Sequence, residues 1–277
     1  MHILKFVANK ENNMYLIDYH IHSNNSFDSK ETILSVCQVA IEKGINEICF
    51  TEHFSVKEGI KSYGFLNLKK YSDEIKECRD IFKDKLTIRA GIEICEPHEN
   101  EEELRLILED IPFDFILGSV HNFDYNIGLA TYMSSHSKEE SYSRYFEEVN
   151  KVCTSPYIDV VAHLDLMKRY AFNTHGNYDF NDYKEKIEEV LKNIIKSGKG
   201  IEVNTSTLRG MVNETMPSND ILKMYYDLGG EIITVGSDAH KLEDVGADIK
   251  ESIEVLKNMG FKNIYRFKNR QAIPVEI

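Results

Sequence analysis

Apolar and polar positions along the chain fall into two kinds of stretch. Short runs dense in Ile, Val, Leu and Phe show little alternation and read as strands buried on both faces; longer stretches repeat their apolar residues every three or four positions, as amphipathic helices do. The strand pattern covers Leu16–His22, Ile45–His53, Leu86–Ile94, Phe113–His121, Ile158–Asp165, Gly200–Ser206 and Glu231–His240. The helical pattern covers Ser29–Lys43, Leu68–Phe82, Lys138–Val152, Asp182–Ser197 and Ser218–Leu228. Gly44 and Gly198 stand where C-terminal caps belong. Strands alternating with helices predict an α/β fold with a parallel sheet, and seven strands at this spacing fit a closed barrel better than a doubly wound sheet. A further short strand is expected near Asn263–Phe267, and the acidic run Glu99–Glu103 reads as the first turn of a helix.

Composition narrows the class without changing that picture. The 277 residues are 42% hydrophobic and 29% charged, which is globular rather than disordered. Barrels of about 250 residues often form one unit, so residues 1–277 are expected to be a single domain. No apolar run approaches the ~20 residues that span a bilayer, so no membrane partner is expected. A net charge of −13 argues against nucleic acid as a partner, since phosphate neutralisation needs clustered Lys and Arg. It leaves a small anionic substrate open, because bound metal reverses the local sign. Five cysteines, an odd number without a CxxC pair, and a polar Met1–Met14 lacking a secretory apolar segment point to reduced thiols in the cytoplasm.

Chemistry concentrates where the strands end. The first candidate strand ends in His20-Ile21-His22, the second in Glu52-His53, the third near Glu93, the fourth in His121, the fifth at His163 and the seventh in Asp238-Ala239-His240. One histidine at a strand end is ordinarily a hydrogen-bonded surface residue. Six of the ten histidines ending apolar strands is a different matter. In a (β/α) barrel these ends share one face, and residues i and i+2 of a strand point to the same side. Imidazole and carboxylate together suit zinc, manganese or iron, all able to activate water. His2, His98, His136 and His175 lie in polar sequence and read as surface residues.

The motifs His20-Ile21-His22-Ser23, Thr51-Glu52-His53, Gly91-Ile92-Glu93, Gly118-Ser119-Val120-His121, Ala162-His163 and Gly236-Ser237-Asp238-Ala239-His240 resemble, in order, those of the polymerase-and-histidinol-phosphatase (PHP) superfamily. The runs from His163 to Arg169, from Glu202 to Arg209 and from Asp238 to Gly246 are most similar to its monofunctional histidinol-phosphate phosphatase branch. The resemblance implies a distorted (βα)7 TIM-like barrel and three divalent metal ions, whether zinc, manganese or iron. It puts His20, His22, Glu93 and Asp238 on the first ion and lets Glu93 bridge to a second held by His121 and His163. The third takes His53, His240 and Asp28, which stands where many members have histidine. A carboxylate is the harder ligand there, and the other role open to Asp28 is an N-cap.

The implied activity is hydrolysis of a small phosphate monoester, L-histidinol phosphate in histidine biosynthesis, by a metal-bridging hydroxide. Arg169 and Arg209 follow the fifth and sixth strands and are expected to grip phosphoryl oxygens, since guanidinium matches phosphate bidentately. The departing alkoxide needs a proton, for which Asp238, His240 or a metal-bound water is available. Glu52 either supports a metal ligand or is a simple strand-end acid, and Asp165 either orients a ligand or Arg169 or caps a helix. Two other readings remain: a superfamily phosphoesterase acting on a nucleotide, a nucleic-acid 3′ end or a phosphotyrosine protein, and a non-catalytic metal-stabilised interaction domain. The sequence leaves the oligomeric state open.

Overall fold

The computed structural model describes residues 14–109 and 111–277. His2 and nearly all of the N-terminal segment Met1–Met14 lie outside them. The strands are β1 (Ile17–Ile21), β2 (Glu47–Phe54), β3 (Thr87–Cys95), β4 (Phe115–Ser119), the short β5 (Asn122–Phe123) and β6 (Ile127–Gly128), β7 (Val160–Val161), β8 (Gly200–Asn204), β9 (Ile233–Gly236), β10 (Asn263–Lys268) and β11 (Gln271–Glu276). The helices are α1 (Ile33–Glu42), α2 (Leu68–Phe82), α3 (Glu101–Glu109), α4 (Leu129–Ser135), α5 (Lys138–Val152), α6 (Met167–His175), α7 (Phe180–Lys196), α8 (Asn219–Asp227) and α9 (Ile249–Met259).

Seven strands form one parallel sheet in the order β1-β2-β3-β4-β7-β8-β9. Its two edges approach each other through a bridge between Ile21 and Ala239, where His22 N–H donates to the Ala239 carbonyl at 2.9 Å and Asp238 N–H to that of His20 at 2.8 Å. The sheet is thus nearly closed into the α/β barrel the sequence predicts. Beside that seam the buried Asp18 carboxylate accepts from Ser237 Oγ at 2.5 Å and from the Gly246 amide at 2.9 Å. Every residue of β1, β2, β4, β8 and β9 is buried, as expected of parallel strands covered on both faces.

The helices obey local signals. Asn67 caps α2 by accepting from Lys70 N–H, and a reciprocal Ser137–Glu140 box opens α5. Gly44, at φ +72°, reverses the chain after α1 in a conformation that a side chain disfavours. Thr32, not Asp28, caps α1. The strand expected near Asn263–Phe267 pairs with β11 as an antiparallel hairpin that covers the end of the barrel where the strands begin. Phe267 packs on Phe115, and Tyr19 Oη is hydrogen-bonded to its backbone.

Two strands stop four residues short of their predicted ends, more than any other, and both do so at the site. The strand expected over Ile158–Asp165 is ordered only at Val160–Val161, because His163 turns to φ +24° and gives its N–H to the Glu202 carboxylate at 2.8 Å. The one expected to reach His240 stops at Gly236, and Asp238 takes φ +54°. Asp238 and His240 therefore converge through a left-handed turn and not through strand alternation.

Candidate metal centre and cavity

The strand ends bring all nine predicted ligand residues into one cluster, in three overlapping groups. In the first, His20 Nε2 and His22 Nε2 are 3.0 Å apart, Glu93 Oε2 lies 3.4 and 3.6 Å from them, and Asp238 Oδ1 lies 3.5 and 3.4 Å from them. In the second, Glu93 Oε1 lies 2.9 Å from His163 Nε2 and 3.6 Å from His121 Nε2. In the third, Asp28 Oδ2 lies 3.3 Å from Nε2 of both His53 and His240. The His22 ring stacks between those of His53 and His240, at 4.3 and 4.2 Å.

Hydrogen bonding fixes which way these rings present their lone pairs. His20 Nδ1 faces the Glu202 carboxylate at 2.7 Å, an acceptor, so it carries the proton and leaves Nε2 bare. His22 Nδ1 faces Ser26 Oγ at 3.1 Å; that hydroxyl already donates to Glu52 at 2.6 Å, so it accepts from His22. Two bare Nε2 atoms then face each other. Glu93 Oε2 lies among three imidazole nitrogens and is buried, yet makes no properly directed hydrogen bond. Ligand atoms on a tetrahedral zinc-like ion, at ~2.1 Å from it, stand about 3.4 Å apart. The four histidine–carboxylate separations of the first group, 3.4–3.6 Å, match that spacing, and an ion among them would take up the lone pairs of both Nε2 atoms and of Glu93 Oε2. The residues fit a metal.

Charge is strained without one. Burial disfavours a charged His20, but the Glu202, Asp238 and Glu93 carboxylates outweigh it and drive the imidazole well above its usual range, so that without an ion a second proton takes the place on Nε2 that the ion would fill. His22, buried beside other imidazoles, goes the opposite way. Burial likewise pushes Glu93 up, and His53, His20 and His121 override it and hold the carboxyl well below its usual range. Burial takes His121 down to about 3.

Several supports were not legible in the sequence. Glu202, in β8, holds both His20 Nδ1 and the His163 amide, tying three strands together. Its only outward sign is a lone acid inside an apolar strand. Gly236 leaves it room, since a Cβ there would meet Glu202 Oε1 at 2.5 Å and collide with His20. Glu52 is buried and acts through Ser23 and Ser26, so it supports the ligands indirectly. Asp165 is engaged elsewhere, by Lys168 Nζ at 2.9 Å and Tyr178 Oη at 2.8 Å. His98 is nearly buried and pairs with Glu148 at 3.0 Å, while His136 and His175 bond to main-chain carbonyls away from the cluster.

A cavity of about 380 Å³ opens over the cluster, lined among others by Phe27, Ile60, Lys61, Leu166, Arg169 and Tyr170. Arg169 faces it, 3.7 Å from Asp238 Oδ2. Arg209, expected beside it, does not line the cavity. Its guanidinium donates to the Ser237 carbonyl at 2.7 Å and pairs with the Asp244 carboxylate at 3.0 Å, partners that lie far along the chain.

A nearly closed parallel α/β barrel with imidazoles and carboxylates crowded at its strand ends defines a metal-binding TIM-like protein. More narrowly, the chain belongs to the PHP domain family, whose family model matches residues 18–206. It is 30% identical to the histidinol-phosphatase of Lactococcus lactis subsp. lactis over 94% of this chain and 99% of that protein. It is also 30% identical to a Clostridium acetobutylicum protein named "Probable histidinol-phosphatase", over 90% of this chain and 96% of the relative. The crystal structure of the Lactococcus histidinol phosphate phosphatase complexed with zinc, L-histidinol and phosphate superposes with a TM-score of 0.86 at 29% identity, covering 94% of this chain and 99% of that one.

Proposed function

We propose that the protein is a metal-dependent phosphomonoesterase that hydrolyses L-histidinol phosphate to L-histidinol and phosphate. The observation that carries the reading is the first ligand group: two facing Nε2 atoms with a Glu93 and an Asp238 oxygen each 3.4–3.6 Å from both, beneath a cavity bearing Arg169. The likeness to the Lactococcus enzyme over nearly the whole of both chains supports the substrate.

In this reading three divalent ions are held by His20, His22, Glu93 and Asp238, by Glu93, His121 and His163, and by Asp28, His53 and His240. Such ions lower the pKa of water toward neutrality and neutralise charge on phosphoryl oxygens. The chain's own residues do the rest. Arg169 offers a planar fork to the phosphoryl oxygens, a contact that strengthens as charge builds in the transition state. Arg209 acts indirectly, by holding the Ser237 carbonyl and so the turn that carries Asp238. Glu202 and Ser26 keep His20 and His22 in the tautomer that faces Nε2 inward. The partner is a small molecule. Among the described residues no helix is long and apolar enough to cross a membrane.

The test is a panel of monoesters offered to protein reloaded with zinc or manganese. Histidinol phosphate is expected to exceed nucleotides and phosphotyrosine peptides in kcat/KM by at least the roughly 10–200-fold that a shaped pocket gives for modest substrate differences. Exhaustive chelation is expected to abolish turnover. Equal rates across the panel would sink the substrate assignment, and turnover that survives chelation would sink the metal chemistry.

A further inference from the structure

The leaving oxygen of an alkyl phosphate departs as a strong base, and a proton delivered from the cavity wall assists its departure. Asp238 is fully engaged: Oδ1 faces His20 and His22, and Oδ2 accepts from Ser206 Oγ at 3.2 Å. His240 is engaged at both nitrogens, with Nδ1 donating to the Asp238 carbonyl at 3.0 Å and Nε2 facing Asp28 at 3.3 Å. The hydroxyls on the wall belong to Ser62 and Tyr170. Ser62 Oγ lies 3.9 Å from Cys95 Sγ. Tyr170 Oη has no hydrogen-bond partner among the described residues.

We propose that Tyr170 is the proton donor to the leaving oxygen of the phosphate monoester. Arg169 and Tyr170 are consecutive in α6, so their side chains diverge by about 100° around the helix. Both nonetheless border the cavity, because the first turn of α6 runs across its mouth. Tyr170 is 38% exposed and lines the cavity, so its side chain is open to a bound molecule. Tyr170 shares the cavity lining with Asp238, His53 and Glu93, and burial raises its phenol, which keeps the proton on the hydroxyl. Arg169 on one side can hold phosphoryl oxygens while Tyr170 on the other meets the ester oxygen.

The step balances. The oxygen of water forms a bond to phosphorus as the ester P–O bond breaks, and the leaving oxygen takes the bonding pair. That oxygen accepts the phenol's proton, and the phenolate regains one from the proton that the attacking water releases. An alkoxide is far more basic than a phenolate, so the transfer runs downhill.

This inference rests on the phosphatase reading, and one experiment separates the two. Wild type and Tyr170→Phe are compared on two alkyl esters, L-histidinol phosphate and glycerol phosphate, and on p-nitrophenyl phosphate, whose leaving group departs without a proton. The variant is expected to lose roughly 10²-fold or more in kcat on the alkyl esters, to stay within a few-fold of wild type on p-nitrophenyl phosphate, and to keep its metal content and Tm. An equal loss on all three esters would overturn the assignment, because the phenol would then only bind phosphate. No loss on any would overturn it too. A wild type that hydrolyses none of the three overturns the phosphatase reading itself, a result visible before the variant is assayed.

Discussion

The two ends of the barrel bury charge in opposite ways. Where the strands begin, the buried Glu47 carboxylate receives Arg89 at 2.7 Å, Arg266 at 2.9 Å, Tyr19 Oη at 2.6 Å and Tyr15 Oη at 3.1 Å. Asp114 pairs with Arg79 and Asp159 with Arg270 at the same end. Each acid there has a permanent cation. Where the strands end, Glu93 is just as buried, yet among the described residues its ion-pair neighbours are all imidazoles. One end is a finished electrostatic structure. The other is left one or more cations short, which is a costly arrangement unless something positive arrives. Buried acids therefore sort by their partners: an arginine marks a brace, and a ring of bare imidazole nitrogens marks a cradle.

The largest expected effect tests the cradle. Glu93→Gln removes the carboxylate shared by two ligand groups and should lower kcat/KM by more than the ~10²–10³ of a single electrostatic contact. Zinc at 100 times its Kd should stabilise wild type by about 2.7 kcal/mol, and this gain should shrink sharply in the variant. A variant that binds zinc as wild type does would erase the distinction between the two ends.

Next in size is the brace. Glu47→Gln leaves the partly buried Arg89 and Arg266 against a neutral group and should cost about 1–3 kcal/mol of stability. Denaturant unfolding measures that cost, while kcat per folded molecule should not change. A loss of activity without a loss of stability would reverse the roles of the two ends.

The smallest effect is the pH signature of the same residue. Burial pushes Glu47 up, but hydrogen bonds from Arg89, Tyr19 and Arg266 outweigh it and hold the carboxyl below its ordinary value of 4.5. A folded pKa below the unfolded one gives stability that is present in full above about pH 4.5 and is lost as pH falls through the folded value. Between about pH 5 and 3, wild type should therefore lose stability more steeply than Glu47→Gln. Parallel acid limbs would exclude Glu47 as a contributor.

Much of this could be read from the chain, and the rest was hidden for identifiable reasons. Leu68–Phe82 and Lys138–Val152 are helices at the predicted bounds, because period and caps agree within a few residues. The ligand residues announced themselves as imidazoles and acids ending apolar strands. Periodicity has no grip once a strand stops, and so the left-handed turns at His163 and Asp238 were read as extended chain. Helix α6 starts directly after one such turn, and in the sequence only Asp165, as one of its two readings, pointed to it. The fate of Arg209 depends on Asp244, and the work of Glu202 on His20; both are pairings between segments distant in sequence that local pattern cannot encode.

The seam of the barrel also bears on how the protein comes into being. His20 and His22 are made early and Asp238 late, and the seam clasp between Asp18 and Ser237 joins residues 219 positions apart. During translation, ligands from the first strands must wait for the last one before they can share an ion. A growing chain therefore carries its histidines and a sticky unpaired β1 edge through most of its synthesis, the condition under which non-local α/β topologies fold slowly and meet chaperones. Completion of the first ligand group is then the final act of biogenesis, and a chain cut off before Asp238 would hold Glu93, His121 and His163 but not the four-residue group.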